Sequence, residues 1–132
     1  MPRTNAALSL VALATLGLAT ACEKQSPWVT LQSGGTVVKA RAVKYCRDNG
    51  RCNESTEAPV LKVKPGDILG IDVPRSVAEQ GWRLGAQGPF RYDHYYSFRL
   101  PDQLQSGVEQ ELTIMRDPKH GEGVWRFLVR VR

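Results

Sequence analysis

Along most of the chain apolar and polar residues alternate one for one, the repeat of strands that bury a single face. The three-and-four spacing of an amphipathic helix is never sustained. "WVTLQS" runs into Gly34 and Gly35, and "TVVKARAVKY" follows with Val38, Ala40 and Ala42 on one side and Lys39 and Arg41 on the other, which predicts a β-hairpin. "VLKVK" turns Leu61 and Val63 inward and Lys62 and Lys64 outward, and "KPGD" then sets Pro65 and Gly66 in the order of a type II turn. Leu69, Ile71 and Val73 continue the inward set, Trp82 and Leu84 flank an outward Arg83, and "ELTIM" adds Leu112 and Ile114. "PFRYDHYYSF" predicts one strand with Phe90, Tyr92, His94, Tyr96 and Phe98 on a single face. The C-terminal "VWRFLVRVR" sets Trp125, Phe127, Val129 and Val131 against Arg126, Arg130 and Arg132.

Seven or eight short strands, with turn signals about every ten residues, predict an all-β fold: a small antiparallel β-sandwich of immunoglobulin-like size over residues 28–132. "VPRSVAEQGW" has room for one helical turn, with Ser76 as its cap.

The alternation is absent from the first residues. After Arg3, residues 6–19, "AALSLVALATLGLA", form a 14-residue run broken only by Ser9, Thr15 and Gly17, shorter than the roughly 20 residues of a membrane span. This is the form of an export signal over residues 1–21, and it ends in "ATA" before Cys22. The small residues suit an A-x-A cleavage site; with Leu18 and Ala19 they also approximate a bacterial lipobox, in which Cys22 is lipidated and becomes the mature N-terminus. Cysteine arithmetic favours the second reading, since an oxidising compartment leaves few free thiols. The three cysteines resolve as a lipidated Cys22 and a disulfide between Cys46 and Cys52, which flank "RDNGR" with its Asn49-Gly50 turn. Residues 22–27 then make a linker, and the five residues from Glu23 to Pro27 reach about 17 Å when extended, so the domain is expected close to the outer face of a cell membrane.

At 132 residues with 42% hydrophobic and 23% charged positions, the chain has the composition of one folded domain. Removing residues 1–21 takes away Arg3 and no acid and leaves 17 basic against 13 acidic side chains, dispersed singly. Such a surface has no polybasic cluster, and export argues against nucleic acid as a partner. The only histidines are His94 and His120, with no ligand spacing around them, so no metal is expected. Ser76, Ser97 and Ser106 sit in no G-x-S-x-G elbow, and the acids show no pairing, so neither enzymatic activity nor a cofactor is expected. "NES" at Asn53 matches a glycosylation acceptor by chance.

The cysteine pair, "VKPGDILGIDVP", "EQGWRL", the strand around "YDHYYSF" and the C-terminal strand together resemble a family of actinobacterial lipoproteins with a lipobox cysteine and a small β domain of unknown function. The resemblance covers most of the mature chain and implies that architecture; it carries no functional residue with it. "PGDILGIDVP" and "QGWRL" are similar to segments of the chagasin-like inhibitors of papain-type cysteine proteases, whose "NPTTGY" loop has no counterpart here. That likeness implies an immunoglobulin-like fold and, as an alternative function, protease inhibition. The leading expectation is a monomeric, membrane-anchored lipoprotein acting through an envelope protein or ligand, with Phe90, Tyr92, His94, Tyr96 and Phe98 as the candidate binding surface.

Overall fold

The computed structural model describes residues 25–132; the expected signal segment and Cys22 lie outside them. Among the described residues ten strands form two facing sheets, more and shorter than the seven or eight expected, because several strands break where the chain changes layer. The smaller sheet holds β1 (Val29–Ser33), β2 (Thr36–Ala40), β6 (Ile68–Asp72) and β8 (Tyr95–Arg99) in the order β2-β1-β6-β8. The larger has β3 (Lys44–Cys46), β4 (Cys52–Glu54), β7 (Trp82–Leu84), β9 (Glu109–Arg116) and β10 (Gly123–Val131) in the order β4-β3-β10-β9-β7, with β5 (Val60–Val63) beside β10. Pairing is antiparallel throughout except that β5 runs parallel to β10, so the sandwich is not purely antiparallel.

Local chemistry accounts for the main turns. Ser33 pairs with Thr36 across Gly34 and Gly35, both at positive φ (53° and 88°), as a two-residue hairpin turn requires. In "KPGD" the Asp67 N–H donates to the Lys64 carbonyl at 3.1 Å with Gly66 at φ 80°. That turn is an arch between layers, since β5 and β6 belong to different sheets. The helical turn α1 (Arg75–Gln80) forms as expected, but Ser76 lies inside it and the cap position is Pro74, which makes no side-chain hydrogen bond.

The alternation read from sequence decides the core. Leu31, Leu61, Ile71, Ile114, Trp82, Trp125 and Phe127 are all fully buried in one cluster between the sheets. Burying side chains of this size contributes about 1.5–3 kcal/mol each. The two core tryptophans also tie down the surface segments: the Trp125 indole donates to the Pro27 carbonyl at 3.0 Å and the Trp82 indole to the Asp93 carbonyl at 2.8 Å. Ser26 and Pro27, expected as linker, are therefore already held by the domain; Ser26 is buried and its hydroxyl accepts from the Ala42 N–H at 2.8 Å.

Candidate functional site: an aromatic-walled cleft

The stripe expected from Phe90 to Phe98 is split, and this is a correction. Only Tyr95–Arg99 is a strand, and residues 90–94 carry the chain from the larger sheet to the smaller. Arg91 still bridges β7, with Arg91 N–H to Trp82 carbonyl at 2.6 Å and the return bond at 3.0 Å. Three residues later the His94 carbonyl accepts from the Val73 N–H at 2.8 Å, beside β6. Stacked sheets are about 10 Å apart, so a segment that crosses between them cannot keep strand alternation.

The five candidate residues therefore have different surroundings. Tyr96 and Phe98 face inward, half-buried and stacked on each other with ring centres 6.0 Å apart. The Arg91 guanidinium lies over the Tyr96 ring at 3.4 Å. Phe90 is exposed beside the Arg83 guanidinium, 4.7 Å from its ring centre. Tyr92 is 62% exposed and His94 is exposed beside it in sequence. The residue left out of the sequence-based set, Tyr95, is 41% exposed on the outer face.

Tyr92, His94 and Tyr95 converge with the β6–α1 corner around an open cleft of about 650 Å³, whose wall also includes Asp72, Asp93 and Glu79. Each tyrosine ring lies on a glycine. A methyl group at Gly81 would meet the Tyr92 ring at 2.9 Å, and one at Gly70 would meet Tyr95 ring carbons at 3.0 Å and its hydroxyl closer still. Glycine in a strand interior commonly marks such a close approach, and here it lets a large ring lie against the sheet. Tyr95 also borders a second groove of about 340 Å³, with Gln32, Val37 and Ile68 on the outer face.

The polar rim is exposed. His94 Nδ1 stands 3.9 Å from Asp72 Oδ1, an ion pair only when the imidazole is protonated. Arg75 is occupied by Glu79 at 2.8 Å, one helical turn along, leaving Asp72 and Asp93 as free acceptors on the rim apart from the long His94 contact. Among the described residues no three His, Cys, Asp or Glu side chains group to hold a metal ion. Stacking area and carboxylate acceptors are what this surface offers chemically.

Cys46 and Cys52 are disulfide-bonded and face each other in register across the β3–β4 pair, with the Gly50 N–H donating to the Arg47 carbonyl at 2.9 Å within the loop. Two features escaped sequence reasoning. Trp28, 43% exposed, carries the Arg41 guanidinium over its ring at 4.0 Å and the Lys39 ammonium at 5.8 Å. Its position beside Pro27, just ahead of the first core residue, Val29, was the available signal. Buried Arg116 was missed because the strand was read only as far as Met115, although position 116 continues the inward set of Leu112 and Ile114.

Fold and site together define a small β-sandwich protein with an open aromatic and acidic cleft at one end of its smaller sheet. The chain belongs to the DUF2771 family, described as proteins of unknown function, whose model matches residues 22–121. No curated protein and no solved structure matches it.

Proposed function

We propose that this protein is a lipid-anchored bacterial envelope protein that acts by binding, without catalysis, through the cleft walled by Tyr92 and Tyr95. The observation that carries the reading is the mounting of two exposed tyrosine rings on Gly81 and Gly70 beside an acid-rimmed cleft. Rings held in place lose little conformational freedom on binding, and tyrosine presents both an apolar face and a hydroxyl to a partner. The anchor is supported by the apolar run before Cys22, by the start of the family match at that cysteine and by the disulfide that accounts for the other two cysteines.

Photo-crosslinking in intact cells tests the binding surface. A Tyr92→p-benzoylphenylalanine chain is expected to form a discrete adduct that a Gln105→p-benzoylphenylalanine chain, reporting from a distant exposed loop, does not form. The same adducts from both positions, or none from either, would overturn the assignment of the cleft. For the anchor, wild-type protein should need detergent for extraction and Cys22→Ser should not; equal extraction of the two would remove the lipid.

A further inference from the structure

We infer that the tethered end of the sandwich carries a second membrane contact, in which Trp28, Lys39 and Arg41 rest on an anionic phospholipid surface. The inference rests on the lipid-anchor reading of Cys22.

The tether from Cys22 to the fold is short. The chain is held in the fold from Ser26 onward: its hydroxyl accepts from Ala42, its carbonyl accepts from the Arg41 guanidinium, and the next carbonyl, of Pro27, accepts from the Trp125 indole. Four Cα steps separate Ser26 from Cys22, a span of about 14 Å at full extension. A domain on so short a leash keeps the surface around Ser26 against whatever holds Cys22.

That surface presents an aromatic ring flanked by cations. Trp28 is the one exposed tryptophan of three, since Trp82 and Trp125 are fully buried. Its ring contributes nothing to the core cluster, and two cations stand over it. A tryptophan flanked by long basic side chains is the combination that settles at a bilayer interface, with the ring among the headgroups and the cations at the phosphates. Among the described residues neither the Lys39 ammonium nor the Arg41 guanidinium makes an ion pair. Glu57 accepts instead from the Arg41 main-chain N–H at 2.8 Å and lowers the local excess of positive charge without removing it.

The cleft opens at the same end of the smaller sheet. Register places Lys39, Thr30, Asp72 and Tyr95 in one row across the smaller sheet, at the end where Trp28 enters β1. A domain seated on Trp28 therefore presents its cleft near the membrane surface, within reach of ligands embedded there.

The three-tryptophan composition makes the test direct. Purified full-length lipoprotein, with its mass read for lipid on Cys22, is reconstituted into vesicles of brominated phosphatidylglycerol, whose bromines quench only nearby indoles. Trp28 emission should be quenched and shifted to the blue, and Trp28→Phe should abolish the quenching. Lys39→Gln, which removes an exposed cation with no structural bond, should weaken the contact about five-fold, as should raising the salt. A lipidated chain whose emission ignores the brominated lipid would overturn the membrane contact and leave the anchor standing. Quenching of equal strength on neutral phosphatidylcholine, indifferent to Lys39→Gln, would overturn the anionic-surface assignment. A mass without lipid would remove the anchor and this inference together.

Discussion

The Arg116 Nη2 group donates to the Cys46 carbonyl at 2.7 Å, joining residues 70 apart in sequence and tying the end of β9 to the disulfide hairpin. Arg116 is 4% exposed, and its other partners are the Gly121 carbonyl at 3.0 Å, the Glu122 carbonyl at 3.2 Å and the Gln80 side-chain oxygen at 3.3 Å. The Tyr45 ring covers its guanidinium at 4.2 Å. Every hydrogen-bond partner is a neutral oxygen, so the buried cation is stabilised by oriented dipoles and a ring face. These bonds also hold α1, which forms one wall of the cleft, to the larger sheet.

Arg116→Met should lower unfolding stability by about 3 kcal/mol, because it strands several carbonyls in a buried site. Arg116→Lys should recover little of it, since one ammonium cannot span the fork of acceptors. Urea denaturation of the three proteins checks this; equal midpoints would show that the arginine contributes no net stability.

Gly121 sits at φ 100°, and a Cβ there would come within 2.7 Å of the Cys46 oxygen and 3.0 Å of Arg116 Nη2. Gly121→Ala should therefore cost about 2 kcal/mol through backbone strain and displacement of that bond. Combined with Arg116→Met the losses should fall short of additive, because the two changes disturb one contact. Strict additivity in a double-mutant cycle would argue against the shared cause.

The Cys46 and Cys52 bridge closes a short loop, six residues apart in sequence, so the chain-entropy model gives a contribution of about 2 kcal/mol. A Cys46→Ser, Cys52→Ser double variant should stay folded with its melting temperature lowered accordingly. Melts of wild type with and without reductant should reproduce the difference, and a reductant-insensitive wild type would contradict it.

Gly70→Ala should push the Tyr95 ring off the sheet, since a flexible ring end yields more readily than backbone. Aromatic nuclear Overhauser contacts from Tyr95 to residue 70 should vanish, with a stability loss of about 1 kcal/mol or less. Persistence of those contacts would show that the strand has shifted instead.

Lys44 Nζ lies 3.0 Å from Glu122, and that hydrogen bond, followed by the charge of the same carboxylate, raises the amine above its ordinary 10.5. A cation with a raised folded pKa contributes fully below its unfolded value and loses the contribution as pH rises through the folded one. Wild type should thus exceed Glu122→Gln slightly in melting temperature at neutral pH, and the gap should close above pH 10.5. A gap constant with pH would assign the effect to something other than this pair.

The strand repeat was legible wherever one layer held the chain throughout a segment. Leu61 and Val63, Leu69, Ile71 and Val73, and the alternate residues Trp125, Phe127, Val129 and Val131 all bury as their alternation predicts. The disulfide was legible too, since Asn49-Gly50 marks a turn that brings its flanks together. The binding surface was only half legible: alternation from Phe90 to Phe98 suggested one face, while the crossover at residues 90–94 sends Phe90, Tyr92 and His94 outward and only Tyr96 and Phe98 toward the core.

Side-chain order alone determined the all-β class, the inward residues and the turn positions, because these depend on neighbours within a few residues and on the two-residue period of a strand. Tertiary structure alone decided which strands share a sheet, that β5 joins β10 in parallel, that Tyr92 and Tyr95 lie on Gly81 and Gly70, and that Arg116 finds its acceptors in three separate segments. Those relationships join residues far apart in the chain, and local periodicity carries no information about which distant surfaces will meet.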